Sequence, residues 1–287
     1  MKRILVATDF STRSDRALRR AVLLAGKHGA SLSLAHVIDD DQPAYLVDRH
    51  QVAASELLTQ TASTMREVDK IEADVLLTTG EPFTGILRSA DDIDADLIIV
   101  GPHRRQFLDT FIGTTAERTI RRTERPVLMA NAVPSGPYER TLIAVDFDDA
   151  SRCAVEATID FGIAERTEVI ALNLFDAPAA GLMKRASELP DAVDHYLETA
   201  KGQASSELQE FLRDAGVRSS KQVLKHIDGP VACGILASAD DEQADLIVLG
   251  TNQRKGLVRF LLGSVTQRVL LDAERDVLVV PVVREQG

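Results

Sequence analysis

Two aspartates and two glycine-bounded loops are the residues of this chain best suited to hold a ligand. Asp9 follows the apolar run Ile4-Leu5-Val6-Ala7 and Thr8, and Asp146 follows Leu142-Ile143-Ala144-Val145. A carboxylate at the exit of such a run can accept from an amino group or a sugar hydroxyl, and it can equally cap the helix that follows; both readings stand at this point. Further along, Gly250 is followed thirteen residues later by Gly263-Ser264, and Gly101 is followed twelve residues later by Gly113-Thr114. A glycine leaving a strand permits close backbone approach, and a Gly-Ser or Gly-Thr pair opening a helix offers free N–H groups and a hydroxyl to an anion. The competing reading is that these glycines only shape a turn and a helix start. His103, Arg104 and Arg105 in the first loop could add charge-assisted phosphate contacts or form a solvated basic loop.

Other chemistries lack their residues. There is no Gly-x4-Gly-Lys-Ser/Thr loop, no Gly-x-Gly-x2-Gly turn, no Gly-x-Ser-x-Gly elbow and no His-Glu-x2-His helix. The six histidines are scattered, and Cys153 and Cys233 stand 80 residues apart, which reads as free thiols in a reducing compartment. Acidic runs such as Asp39-Asp40-Asp41 and Asp91-Asp92 read as solvated charge rather than a metal cage; Mg²⁺ would arrive with a ligand's phosphates. Lys plus Arg number 33 against 44 Asp plus Glu in 287 residues, a formal charge of −11 that disfavours nucleic acid as a partner. Asp9 interrupts the N-terminal apolar run before a signal peptide can form, and no segment approaches the length needed to span a bilayer, so a cytoplasmic protein with no membrane partner is expected.

The elements that carry these residues occur twice. Gly85-Ile86-Leu87-Arg88-Ser89-Ala90-Asp91-Asp92 returns as Gly234-Ile235-Leu236-Ala237-Ser238-Ala239-Asp240-Asp241, and Ala95-Asp96-Leu97-Ile98-Ile99-Val100-Gly101 as Ala244-Asp245-Leu246-Ile247-Val248-Leu249-Gly250. The offset between copies grows from 137 at Asp9/Asp146 to 149 at Gly101/Gly250, so the second copy carries about twelve extra residues before its third strand, as a longer loop or a helix. Pro134-Ser135-Gly136-Pro137 separates the copies, giving domains 1–133 and 138–287. The charge divides unevenly: residues 1–137 carry 17 basic against 19 acidic side chains, the remainder 16 against 25.

Each copy alternates short apolar runs with helix-period stretches. Residues 4–7, 31–37, 75–78, 97–100 and 126–130 read as strands, with counterparts at 142–145, 168–175, 222–226, 246–249 and 277–280. Ser14 to His28 and Val193 to Ala215 read as helices, the latter stopped by Gly216, and Val265 to Leu271 as a helix opened by Gly263-Ser264. Both fourth strands are expected to end on a glycine, Gly101 or Gly250. The predicted fold is α/β: two tandem doubly wound domains, each a five-stranded parallel sheet with helices on both faces. In such sheets ligands lie beyond the carboxyl ends of the strands, where Asp9, Asp146 and both glycine loops fall.

These residues resemble the universal stress protein family in its tandem form, over nearly the whole chain. The resemblance rests on Val6-Ala7-Thr8-Asp9, Ala144-Val145-Asp146, His36-Val37, Gly80-Glu81-Pro82 and the run from Gly250 to Leu270. It implies an adenine-nucleotide alpha-hydrolase-like fold and a pocket for ATP, with Mg²⁺ as companion, built on the family's Gly-x2-Gly-x9-Gly-Ser/Thr pattern. The wall of the second pocket would be Ala144, Val145, Asp146, Leu174, Leu249 and Gly250, with Asn252, Gln253, Gly263, Ser264 and Val265 near the phosphates. The first pocket would use Ala7, Thr8, Asp9, Val37, Val100, Gly101, His103, Arg104, Gly113, Thr114 and Thr115. Two departures matter: Gln253 and Arg104 stand where the pattern has its second glycine, and the first loop is one residue short.

The resemblance further implies pairing of the two halves through their last strands, an internal pseudo-dimer that a second chain could extend to a homodimer. The function expected is that of a non-enzymatic, ATP-binding stress-response protein. A nucleotide-free scaffold that recruits a protein partner, and a slow ATPase, are the alternatives. The family does not specify which halves bind, which adenine nucleotide, or which stress.

Overall fold

The first copy opens with the all-apolar centre of β1 (Arg3–Ala7), whose Ile4, Leu5 and Val6 are fully buried, as a parallel strand covered on both faces must be. The computed structural model describes residues 1–102, 114–165, 167–185, 190–217, 221–252 and 262–282, without the side chains of 181, 184, 185 and 190. The first half continues through α1 (Ser14–His28), β2 (Ser31–Ile38), α2 (Ala44–Thr64), β3 (Ala73–Thr79), α3 (Pro82–Asp92), β4 (Leu97–Val100), α4 (Thr115–Arg122) and β5 (Val127–Met129). The second half runs β6 (Arg140–Ala144), α5 (Asp149–Asp160), β7 (Glu168–Phe175), α6 (Pro178–Arg185), α7 (Pro190–Asp214), β8 (Lys221–His226), α8 (Val231–Asp241), β9 (Leu246–Thr251), α9 (Ser264–Asp272) and β10 (Asp276–Pro281). Helix α6 has no counterpart in the first half and takes up most of the second copy's extra length.

The strands form one ten-stranded sheet in the order β3-β2-β1-β4-β5-β10-β9-β6-β7-β8. Every neighbouring pair is parallel except β5 and β10, which run antiparallel in the register Val127↔Val279, Leu128↔Leu278 and Met129↔Val277. Leu128 and Leu278 occupy equivalent places in the two copies, so a local two-fold relates the halves about this pair. Each last strand thereby covers the other's open edge. Strand alternation then divides the core. Ile4, Val6, Leu32 and Leu34 pack with α1 and α2 on one face, while Leu5, Ala35, Ile98 and Val100 pack with α3 and α4 on the other.

Local sequence explains the helix ends that frame the site. Helix α1 buries Ala17, Ala21, Leu24 and Ala25 along one stripe and stops at Gly29, whose φ of +64° is cheap only for glycine. Helices α3 and α8 lie unusually close to the sheet at Gly85 and Gly234. A Cβ on Gly85 would come within 2.5 Å of Val37 Cγ1, and one on Gly234 within 2.8 Å of Leu174 Cδ1.

A buried polar network locks the halves together. Asp276, fully buried on β10, accepts from Arg20 Nε of α1 at 2.7 Å, from Tyr138 Oη at 2.6 Å and from the Ala132 amide at 3.0 Å. The Arg20 guanidinium also lies over the Tyr138 ring at 4.0 Å and donates to the Gly136 carbonyl at 2.8 Å. Burial, reinforced by the Asp276 charge, pushes the Tyr138 hydroxyl well above its ordinary pKa. The network ties the inter-copy segment to one helix of the first half and one strand of the second.

Candidate functional site

A helix that follows a parallel strand starts at that strand's carboxyl end, so the first turns of α1, α4, α5 and α9 all face the same edge of the sheet as the loops after β1, β4, β6 and β9. Each half therefore has a mouth at this edge. In the first half it is framed by Ala7, Thr8 and Asp9, by Gly101, and by Thr114 and Thr115 at the start of α4; in the second by Ala144, Val145 and Asp146, by Gly250 to Asn252, and by Gly263 to Val265. His103, Arg104, Gly113 and Gln253 lie outside the described residues.

The two mouths share a frame. Thr8 N–H continues the β2 ladder to the Ala35 carbonyl at 2.9 Å, and Val145 N–H does the same to the Leu172 carbonyl at 2.8 Å. Two residues later Phe10 and Phe147 adopt φ values of +59° and +56°, strained for an aromatic residue, and so turn the chain sharply into α1 and α5. The intervening aspartate is thus held at the rim by the same backbone path in both halves.

What each aspartate does differs. The Asp9 carboxylate accepts from the Ser11 amide at 3.0 Å and the Ser11 hydroxyl at 2.5 Å. Partial burial acts to raise its pKa, but the Ser11 hydrogen bonds, helped by Ser14 and the Arg13 charge, prevail and hold it below the ordinary carboxylate value. In the second half, position 11 has become Asp148. That residue caps α5, accepting from the Ser151 amide at 2.8 Å, and takes a second bond from the Asn252 side-chain amide at 2.8 Å. Among the described residues the Asp146 carboxylate has no hydrogen-bond partner, and its pKa is raised by partial burial and by the Asp148 charge. Neither Asp9 nor Asp146 caps a helix.

The helix starts differ in the same sense. Thr114 caps α4, its hydroxyl accepting from the Glu117 amide at 3.1 Å, and the buried Glu117 carboxylate sits in the first turn, paired with Arg121 at 2.6 Å. An anion at this start would find the Glu117 amide already engaged by Thr114 and a like charge in the first turn. In the second half Ser264 is exposed with its hydroxyl uncommitted among the described residues, and the position of Glu117 is the neutral Gln267. A Cβ placed on Gly263 would meet no described atom within 4 Å.

Several residues expected at the pocket walls have other work. Strand β9 extends two residues past Leu249, pairing Gly250 with Val280 and Thr251 with Pro281, so Gly250 lies inside the strand rather than at its end. A Cβ on Gly250 would fall 2.0 Å from the Ala150 carbonyl oxygen, and one on Gly101 would fall 3.0 Å from that of Arg13. These glycines let the first turns of α5 and α1 press against the fourth strands, a packing role that the sequence pattern alone did not separate from ligand approach. Val100, Val145 and Leu249 are buried in the core. Thr8 is buried as well, its hydroxyl bonded to Ser14 Oγ at 3.0 Å. Val37 and Leu174 are half-buried under Gly85 and Gly234, while Ala7 and Ala144 border the rim. Asn252 and Thr115 are exposed. Asp148 and Asn173, which take part in this rim, went unremarked in the sequence because neither belongs to a repeated motif.

The frame, the duplicated rim and the strand order together define a class of tandem α/β proteins, and comparison with known proteins places the chain within it. The universal stress protein family profile matches twice, over residues 1–131 and 137–281. A universal stress protein of Mycolicibacterium smegmatis is 25% identical over 296 aligned positions, covering 96% of each chain. One from Methanocaldococcus jannaschii is 32% identical over 144 residues, covering 50% of this chain and 82% of its own. The crystal structure of a universal stress protein from Archaeoglobus fulgidus superposes with a TM-score of 0.70 at 18% identity, covering 97% of this chain and 98% of its own. The chain belongs to the universal stress protein family, as a tandem pair of its domains.

Among the described residues, no helix is long and apolar enough to cross a membrane.

Proposed function

We propose that this protein binds one adenine nucleotide per chain, in the mouth of its second half, and acts in the cytoplasm as a stress-response regulator whose conformation the nucleotide stabilises. The observation that carries this reading is the contrast between the two aspartates: among the described residues the Asp146 carboxylate at the rim is uncommitted, whereas Asp9 is satisfied by Ser11. An uncommitted acceptor suits the two hydroxyls of a ribose or the amino group of adenine. The start of α9, with Gly263, the Ser264 hydroxyl and no acidic side chain in its first turn, suits the phosphates of ATP. Mg²⁺ carried on those phosphates would offset the Asp146 and Asp148 charges. Leu174 and Ala144 would border the base. Residues of this half hold and orient the ligand; none is assigned a catalytic part.

Isothermal titration of the full chain with ATP and Mg²⁺ tests the reading. Saturable binding at one site per chain is expected, weakened at least tenfold by Asp146→Ala and unchanged by Asp9→Ala. Ligand at a hundred times its Kd should stabilise the protein by about 2.7 kcal/mol. Absence of binding, or equal loss from both variants, overturns it; steady phosphate release abolished by Ser264→Ala would make the protein an ATPase instead.

A further inference from the structure

One contact on the far side of each rim recurs with different chemistry. In the first half His36, on β2, donates from Nδ1 to the Thr8 carbonyl at 2.7 Å. In the second half Asn173, at the equivalent place on β7, donates from Nδ2 to the Val145 carbonyl at 2.9 Å. An imidazole and a carboxamide share little beyond an N–H at the right reach, so the bond is the common property of the two positions. In both halves the accepting carbonyl belongs to the residue just before the rim aspartate.

The Asn173 amide is costly to keep there. The residue is 3% exposed, and its Oδ1 is buried without a hydrogen-bond partner among the described residues. An unsatisfied buried acceptor is destabilising, and an apolar side chain would fill the site without that loss. Packing therefore does not explain the asparagine, whereas the donation to Val145 does. That donation fixes the peptide plane between Val145 and Asp146. The Asp146 amide is held from the other side by Ser151 Oγ at 2.8 Å, and the next residue, Phe147, is held at positive φ with its ring edge-on to Phe211 at 5.9 Å. Both bonds grip the one peptide that precedes Asp146, so with Phe147 turning the chain at positive φ they fix where the Asp146 Cα sits on the rim, with no bond to the carboxylate itself among the described residues.

We infer that Asn173 is a positioning residue for the second-half ligand site, and His36 its counterpart in the first, each aiming the rim aspartate by clamping the carbonyl that precedes it. The inference rests on the nucleotide-site reading above for its consequence on affinity, but the clamp itself can be tested without a ligand.

The test compares the full-length chain with Asn173→Leu, which cannot donate, and Asn173→His, which installs the donor used in the first half. Two readouts are taken on protein shown to be folded by circular dichroism: ATP–Mg²⁺ affinity, and the titration midpoint of Asp146 followed by the ¹³C shift of its carboxyl carbon. Asn173→Leu is expected to weaken ATP at least tenfold and to move the Asp146 midpoint down toward that of a free carboxylate; Asn173→His is expected to restore both, affinity to within threefold. An Asp146 midpoint or an affinity unmoved in Asn173→Leu, or no recovery in Asn173→His, overturns the inference. If the wild-type chain binds no ATP, the function reading fails and the Asp146 titration alone decides the clamp. Should Asn173→Leu fail to fold, the smaller Asn173→Ala, which likewise cannot donate to the Val145 carbonyl, takes its place with the same expected losses.

Discussion

Replacing Asp276 with asparagine should be among the most damaging near-isosteric changes in this protein. The carboxylate receives three donors, Arg20 Nε, Tyr138 Oη and the Ala132 amide, at 2.6–3.0 Å, and is itself fully buried. Arg20 is nearly as secluded, its side chain 5% exposed. Asparagine offers one acceptor oxygen where the carboxylate offers two, sets an NH₂ group against donors, and leaves the guanidinium charge buried without its counterion. Breaking a buried pair from one side costs about 3–5 kcal/mol. The ten strands form one sheet, so the halves are expected to unfold together. A chain of 287 residues has an unfolding entropy of about 0.6 kcal/mol/K near its midpoint, so that loss corresponds to about 5–8 °C in Tm. Differential scanning calorimetry reads it directly. Removing both charges in Arg20→Met with Asp276→Asn should be less harmful than the sum of the single changes, by about 2 kcal/mol or more, because no unpaired ion remains. A fall of less than about 2 °C in Asp276→Asn, or strict additivity in the pair, would refute the assignment of this network as the latch between the halves.

The paired aspartates should respond to pH with opposite signs. Asp9 has a folded pKa below its unfolded value of 3.8, so its contribution is present at neutral pH and lost as pH falls through the lowered folded value. Asp9→Asn should therefore lower Tm at pH 7 and converge with wild type in acid. Asp146 has a raised folded pKa, so its ionisation opposes folding above that value; Asp146→Asn should raise Tm at pH 7 and lose the advantage toward pH 3.8. Both groups are partly exposed, which keeps each effect under about 1 kcal/mol, and like signs in the two melting curves would sink the contrast. Gly250→Ala, whose new methyl would lie 2.0 Å from the Ala150 carbonyl oxygen, should lose about 3 kcal/mol or more or fail to accumulate as soluble protein. Gly263→Ala, at φ −56° with no described atom within 4 Å of the added methyl, should stay within about 1 kcal/mol of wild type by chemical denaturation while ATP affinity falls.

Much of the architecture follows from local sequence pattern. Apolar runs of four to eight residues separated by helix-period stretches can satisfy their hydrogen bonds and bury both faces only in a covered parallel sheet, and β4 and β7 occupy the ranges their residues suggest, Leu97–Val100 and Glu168–Phe175. The boundary of β9 was less apparent. Gly250 reads as a strand terminator in sequence, yet the ladder to β10 carries the strand on to Thr251, because a partner strand can override local propensity. The repeat likewise located both rim aspartates but could not say which one is free. That depends on residue 11 being serine and residue 148 aspartate, and on Ser11 folding back onto Asp9 while Asp148 turns to cap α5.

Sequence alone established the duplicated α/β plan, the paired aspartates after the first strands and the family resemblance, because hydrophobic periodicity and turn chemistry are local properties written every few residues. Folding in three dimensions supplied the antiparallel register of the last-strand pairing that the resemblance implied, the Asp276 latch across 256 residues of chain to Arg20, the packing role of Gly250 and the difference between the two rims. Each of these depends on groups far apart in the chain meeting within hydrogen-bond or van der Waals reach, and no short-range pattern records such a meeting.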